Sequence, residues 1–426
     1  MNIGRYPTAI RRALLAAGLI LAAAPALAQT TSTWAGDSSP YTPLATGFFA
    51  PSQWVDNWVS QFGAQGAFDN NLVFPASATG KEVTFNHQFG TKVGPLITIA
   101  DGYDFNPGWE DRGWLMPSTG GTIEFSGSST FDLIVRTDGG SGVATFRQTD
   151  AGTLSLGSGS PGWPGIAFNN GFIFDADHAS AQIDISEDDG AHFRSTQQLQ
   201  FTGAGTTRIV SGGVLLAPTT TATNQGVRLN GGNLVVEGQL QNNGANAAVV
   251  SVYNGGKLMG NGLVTSDGTA FIGRFDGTDT AGTLAPGSAA GSIDTLTFQQ
   301  DVTFSSTGVF EADLGSGGTS DLLDLTGFDL ILDTGSTLAL SGTLETGQTY
   351  TLAQFSSVGG TASQFSTVTL NGNPLTGGTL DYTSGSLTLM AAPIPEPAAI
   401  GLILGLAGLG FARRHRNRRA ATPSAG

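Results

Sequence analysis

The sequence predicts an all-β fold, a parallel solenoid of stacked coils, on three observations. Short β-prone runs bounded by Gly or Asn recur along the chain: Thr122-Ile123-Glu124-Phe125, residues 131–135, 249–252 and 380–389. Between the two ends no run carries the i, i+3, i+4 apolar spacing of an amphipathic helix. A phrase of the form turn-Gly-Gly-x-Leu recurs as Ser211-Gly212-Gly213-Val214-Leu215, Asn230-Gly231-Gly232-Asn233-Leu234 and Asn254-Gly255-Gly256-Lys257-Leu258. Its spacing of about two dozen residues is the length of one coil in a repeat architecture.

In chain order, the first element is residues 1–28. Arg5, Arg11 and Arg12 precede an apolar run over 13–24, followed by Ala26-Leu27-Ala28. A basic start, a short apolar core and small residues before the cut describe a secretory signal peptide cleaved after Ala28, with Ala26 and Ala28 as the small residues signal peptidase reads. The run falls well short of the roughly 20 residues needed to span hydrocarbon. Ile10 stands where a twin-arginine signal places a hydroxyl residue, so the general secretory route is expected.

Residues 29–200 form an N-terminal β region of capping or irregular early coils. Its segment 38–53, rich in Pro and aromatics, and Trp109, Trp114 and Trp163 have no firm register. Residues 201–392 form the solenoid proper. Asn-Gly pairs beginning at 170, 230, 243, 254, 261 and 371 supply turns, because both residues tolerate positive φ. The Gly-Gly pair turns the corner and the Leu enters the interior over its neighbour. At a spacing of about 4.8 Å, seven or eight coils make a rod on the order of 35 Å long.

The last element is residues 393–420. Pro393-Ile394-Pro395-Glu396-Pro397 is followed by an apolar run over 398–412 and then Arg413, Arg414, Arg416, Arg418 and Arg419. The prolines hold the segment before the run extended and accessible to a protease. The arginines are expected to stay cytoplasmic, leaving everything before Pro395 across the membrane. At about 1.5 Å per residue the run is a short transmembrane helix of about 22 Å, suited to a temporary anchor.

The body between the ends is strongly acidic. The ends hold eight of the 18 Lys and Arg residues and, counting through Glu396 as body, none of the 33 Asp and Glu, which leaves a balance near −23. Such a surface excludes nucleic acid as a partner. With no Cys there are no disulfides, no thiol nucleophile and no Cys-based zinc site, so burial and backbone pairing must hold the fold.

Two resemblances follow from these residues. Residues 393–420, with Pro395, Glu396 and Pro397 as sorting motif and the arginines as basic stop, resemble the PEP-CTERM signal read by exosortases. That resemblance implies export in a Gram-negative-type bacterium, transient anchoring in the inner membrane, cleavage by an exosortase, and a final place at the cell surface or outside it. Exopolysaccharide or other matrix proteins of a biofilm are the partners it implies. The second covers roughly 209–369 well and 31–74 loosely. The phrases from Gly255 to Gly262, Gly282-Thr283-Leu284-Ala285-Pro286-Gly287, Ser320 to Gly327 and Tyr350 to Gln354 resemble the passenger domains of autotransporters. So do Trp34-Ala35-Gly36 and Asp56-Asn57-Trp58. This implies a right-handed parallel β-helix and a structural role for Asp321. The family's outer-membrane barrel has no room here, and the sorting tag takes its place as the delivery device.

Chemistry is sparse. Three of the four histidines lie outside the basic tail, and neither His-Glu-x-x-His nor Gly-x-Ser-x-Gly occurs. Gly157, Gly159 and Gly162 fit Gly-x-Gly-x-x-Gly, but Pro161 and Pro164 forbid the helix a pyrophosphate needs. Asp184, Glu187, Asp188 and Asp189, with Asp175, Asp177 and His178 upstream, are the best metal candidates. An EF-hand loop beginning at Asp184 needs Gly and Glu where Asp189 and Ser195 stand, so a solvated acidic turn is expected and no metal or cofactor is assigned. A polysaccharide lyase or hydrolase is the enzymatic alternative. A hydrolase needs carboxylates facing one groove, for which Asp313, Asp321 and Asp324 are the candidates. A lyase needs basic residues near bound calcium, and Arg194, Arg208 and Arg228 sit at unrelated coil positions. The expected function is therefore an exported, non-catalytic structural or adhesive protein of the surface or matrix.

Overall fold

The computed structural model describes residues 31–33 and 71–392, with breaks at 78–80, 86–90, 94–95, 108–113, 118–120, 132–133, 136–142, 158–170, 187–192, 195–197, 218–225, 243–248, 267 and 384. Signal, sorting tag, Trp34, Trp58, Trp109 and Trp163 lie outside these residues, as does the expected transmembrane helix. Among the described residues the chain is all-β, with a single 3-10 turn at Ser316–Gly318. None of their helices is long and apolar enough to cross a membrane.

The chain visits three faces in strict rotation. One coil runs through Gly226–Asn230 on the first face, Asn233–Val236 on the second and Gln239–Asn242 on the third; the next runs through Val249–Tyr253, Gly256–Gly260 and Leu263–Thr265. In these coils each strand lies parallel to its equivalent one coil on, so that Leu229 meets Val252, Leu234 meets Leu258 and Leu240 meets Val264. The first- and second-face sheets each hold thirteen strands, and the third face holds a nine-stranded sheet preceded by a three-stranded one. Such a stack leaves each backbone N–H and C=O paired to the coil above or below, which answers the requirement that buried peptide groups be bonded.

Seven first-face strands lie between Leu199 and Gly360, in keeping with the expected seven or eight coils. The same ladder continues toward the N-terminus through Gly171–Ala176, Val143–Gln148, Thr122–Phe125, Leu96–Ile99 and Asn71–Phe74, and ends on Thr31–Thr33. The stretch that had no firm register from its sequence thus contributes strands to the same stack.

Alternation along the strands builds the core. Glu311 and Asp313 of Gly308–Leu314 point outward while Phe310, Ala312 and Leu314 point inward, a period-two pattern repeated on all three faces. The interior is aromatic toward the N-terminus, where Phe125, Phe131, Phe146, Phe172, Phe174 and Phe201 are all fully buried. It is aliphatic over the middle coils, where Leu234, Leu258 and Leu284 stack in one column, which continues through Phe310 to Leu338. Each fully buried side chain of this size contributes about 1.5–3 kcal/mol.

The glycine phrase divides between two corners. Asn230-Gly231-Gly232-Asn233-Leu234 and Asn254-Gly255-Gly256-Lys257-Leu258 are stacked copies: Asn233 pairs with Lys257, Leu234 with Leu258, and the Asn254 side-chain amide donates to Asn230 Oδ1 at 2.8 Å. Ser211-Gly212-Gly213-Val214-Leu215, expected in the same column, sits one corner further round. Its Val214 pairs with Gln239 and its Leu215 with Leu240, whereas the residue beneath Leu234 is Thr207. The reason is close approach. Gly213, Gly238 and Gly262 stack at the second corner, where a Cβ on Gly238 or Gly262 would lie 2.1 Å from the carbonyl oxygen below it. Only glycine fits such a column.

At the C-terminal end the parallel pattern stops. Thr349–Phe355 pairs antiparallel with Ser386–Ala391, which pairs antiparallel with Gly378–Asp381, and Thr367–Leu370 pairs with Asn373–Pro374 across the Asn371-Gly372 turn.

Candidate functional site

The sorting residues Pro395, Glu396, Pro397 and the basic stop Arg413, Arg414, Arg416, Arg418 and Arg419 lie outside the described residues, as do Ala26 and Ala28. Along the sequence they flank the described body closely. The first described strand begins at Thr31, three residues after Ala28, and the last ends at Ala391, four residues before Pro395.

The upstream acidic residues are not one site. Asp175 stands on the first-face strand Gly171–Ala176 and Asp184 on the second-face strand Ala181–Ile185. Each is held by an arginine one coil away. Arg147 Nε donates to Asp175 Oδ2 at 2.7 Å, and Thr202 donates to its Oδ1 at 2.9 Å. Arg208 grips Asp184 with two bonds, Nε to Oδ1 at 3.1 Å and Nη2 to Oδ2 at 2.8 Å. Asp184 therefore belongs to a strand and an ion pair, where the sequence suggested an acidic turn; Glu187, Asp188 and Asp189 lie outside the described residues. Among the described residues no three His, Asp or Glu side chains converge as a metal site would require.

These pairs are part of a rule that single-coil reading misses. Glu124, Arg147, Asp175 and Thr202 are successive register partners across four coils, so opposite charges spaced about one coil apart meet on the sheet surface. Their 23- and 28-residue separations were the available signal. Arg274 departs from that spacing: it meets Asp279 across its own hairpin at 2.6 Å and Asp333, two coils on, at 2.8 Å. The hydrogen bonds to Asp175, Asp184 and Asp279 hold the guanidinium groups of Arg147, Arg208 and Arg274 above their ordinary pKa, and the bond from Arg274, with that from Ser306, draws Asp279 down. At such partly exposed positions each pair contributes at most about 1 kcal/mol.

Arg228 is used differently. Its guanidinium lies 4.7 Å from the Phe275 ring centre, and Phe275 stacks on Tyr253 at 4.4 Å with the rings 13° apart. Burial lowers the Arg228 pKa and raises that of Tyr253. The hairpin formed by Arg274–Phe275 and Thr278–Asp279 is thereby clasped against the first face. Arg208 and Arg228 thus stand on different faces with separate duties; the Arg194 side chain lies outside what is described.

Of the three carboxylates nominated for a hydrolase, Asp313 and Asp321 lie close together and Asp324 stands on the third-face strand Leu322–Leu325, and each is engaged by backbone N–H donors. Asp321 is 1% exposed, and both of its oxygens are occupied: the backbone N–H of Asp294 donates to Oδ1 at 2.9 Å and that of Asp313 to Oδ2 at 2.8 Å. Burial pushes its pKa up to about 6, against the pull of those two bonds and with the nearby Asp313 and Asp294 charges adding to the rise. Asp313 Oδ2 accepts the Gly291 N–H at 2.7 Å, tying down the 287–294 turn. Asp324 closes a local turn by accepting from the N–H and hydroxyl of Thr326. Asp321 has the raised pKa a general acid needs but no path to a substrate; it joins three backbone segments.

No protein-family model matches the chain, and no curated protein matches it.

Proposed function

We propose that the protein is an exported, non-catalytic structural or adhesive component of the cell surface or extracellular matrix, displayed on a right-handed parallel β-helix. The handedness follows the general preference of parallel crossover connections. The observation that carries the reading is the use made of polar side chains: Asp321, whose pKa burial raises, is sealed inside and engaged by two backbone N–H groups, and Arg147, Arg208 and Arg274 are spent on ion pairs within the coil stack. What remains outside is an acidic rod rich in Ser, Thr and Asn, suited to hydrogen bonding with exopolysaccharide or with other matrix proteins.

Delivery rests on the two ends. Signal peptidase removes 1–28, residues 398–412 anchor the chain transiently in the inner membrane with Arg413 to Arg419 on the cytoplasmic side, and an exosortase-type enzyme reads Pro395, Glu396 and Pro397. Only Ala392 to Ile394 separate the last described strand from that triplet, so all the described coils precede the cut.

Replacing Pro395, Glu396 and Pro397 together by alanine is expected to trap the protein in the inner membrane, read by fractionation and by the intact mass of the exported form; unchanged release with unchanged mass refutes the tag. Incubating the exported form with pectin, alginate and its host's exopolysaccharide is expected to liberate no reducing or unsaturated ends. Their appearance, at a rate proportional to protein, would replace the structural reading with the lyase or hydrolase one.

A further inference from the structure

The C-terminal end of the rod is unlike its middle. Columns that are fully covered elsewhere run out there: Leu338 at 0% and Leu340 at 1% exposed are followed by Val368 and Leu370, which are only partly buried, and Leu330 by Val358, likewise partly buried. Leu375, Leu380 and Tyr382 pack on the core from this end and are likewise only partly covered. Apolar surface that each earlier coil hides under the next is left for something else to cover.

Beside it is an open strand edge. The third-face sheet ends in Gly378–Asp381, beyond which no further strand follows among the described residues. The phase of its pairing is set by the bond from the Ala392 N–H to the Gly377 carbonyl at 2.8 Å, because antiparallel partners alternate between bonded and non-bonded positions. Thr379 and Asp381 therefore turn their peptide groups toward Ser386–Ala391, and Gly378 and Leu380 turn theirs to the open side. The other two faces end bluntly. The second finishes on Asn373–Pro374, where proline has no N–H, and the first on the three residues Val358–Gly360, two of them glycine. Met390, 42% exposed, stands opposite Thr379 next to the open edge.

We propose that this end binds a second copy of the chain, tail to tail, by antiparallel pairing of the two Gly378–Asp381 strands. The segment is self-complementary. With the twofold axis through Thr379, Gly378 meets Leu380 of the other copy; with the axis through Leu380, Thr379 meets Asp381. In either register Asp381 faces Gly377 or Thr379 and never its own symmetry mate, so the only charge on the strand meets no like charge. A twofold axis perpendicular to the sheet places the two rods end to end, and the partly covered apolar columns close on each other. The inference uses the coil stack alone and holds whether or not the sorting tag is read as proposed.

Charge sets the conditions. Residues 275–392 contain twelve Asp and Glu and no Lys or Arg, so two such ends repel at low ionic strength and screening favours their union. A basic peptide on the same edge would show the opposite salt dependence.

The absence of Cys makes the test direct. Single variants Thr379→Cys, Leu380→Cys and Asn261→Cys, the last exposed in mid-rod, are made in the full chain, purified in detergent, and oxidised mildly at about 100 µM, a concentration chosen for a small interface. The expected result is a disulfide-linked dimer from Thr379→Cys or Leu380→Cys, whichever the axis crosses, with several-fold higher yield at high salt and none from Asn261→Cys. Adding Leu380→Pro, which removes an edge donor while leaving the Thr379 and Asp381 bonds intact, should abolish the Thr379→Cys crosslink without loss of the β circular-dichroism signal. Monomer throughout, equal crosslinking at residue 261, or a yield that falls with salt overturns the proposal. Thr379 is exposed, so its variant carries the test even if Leu380→Cys misfolds.

Discussion

Truncation of Phe174 to alanine is expected to lower the unfolding free energy by about 3–5 kcal/mol, the range for emptying a fully buried aromatic site. Phe174 is wholly inaccessible and lies in a stack, 5.9 Å and 13° from Phe146 on one side and 5.5 Å and 19° from Phe201 on the other. Its removal forfeits the transfer energy of the ring and two aromatic contacts of about 0.5–1.5 kcal/mol each, and it leaves a cavity that three parallel sheets cannot collapse to fill. Because each coil touches only its neighbours, the damage should be local first, loosening coils on both sides before the distant C-terminal coils. Denaturant titration measures the loss, and hydrogen exchange locates it. A loss below about 1 kcal/mol would mean that the aromatic column is not close-packed.

The second large effect concerns Asp321, whose folded-state pKa is about 6 against about 3.9 for an unfolded aspartate. The folded state binds this proton more tightly than the unfolded chain does. The contribution of Asp321 is therefore greatest below pH 4, declines as pH rises from about 4 to about 6, and is constant above that. The gap corresponds to a decline of about 3 kcal/mol at most. The other carboxylates titrate in the same range, so the readout is a difference: the stability of the native protein minus that of Asp321→Asn should shrink by about 2–3 kcal/mol between pH 4 and pH 7. At pH 7 Asp321→Ala is expected to be less stable than Asp321→Asn, since alanine leaves the N–H groups of both Asp294 and Asp313 without an acceptor, at about 1–3 kcal/mol apiece. A difference independent of pH would show that Asp321 reaches solvent and is not the buried join described above.

Particular residues show how much could be read in one dimension. Leu234 and Leu258 announced their stacking, because a glycine corner followed by an inward leucine is a local pattern and the coil length between them is regular. Leu215 shares that pattern and yet lies on another face, because Gly-Gly serves any corner at which two coils approach closely. Which corner depends on how many residues each connection contains, and the connections vary: register along the second face advances from Thr207 to Leu234, Leu258, Leu284, Phe310 and Leu338 in steps of 24 to 28 residues. Asp175 and Asp184 were neighbours in the chain and looked like one acidic turn. The rotation of the coil put them on different sheets, and partners from adjacent coils, Arg147 and Arg208, neutralised them.

By itself the sequence determined the class of fold and the approximate length of a coil. Alternating apolar residues, glycine turns and the lack of cysteine or helical periodicity act through neighbours a few positions apart, and such forces are visible in one dimension. The tertiary structure alone decided register: which glycine corner stands above which, which acid meets which arginine, and that Asp321 is sealed while Gly378–Asp381 is the last strand of its sheet among the described residues. The physical reason is that parallel pairing joins residues about 25 positions apart. There a one-residue slip of a strand against its neighbour would turn each of its side chains to the opposite face, while connections of varying length leave the register unmarked in the sequence.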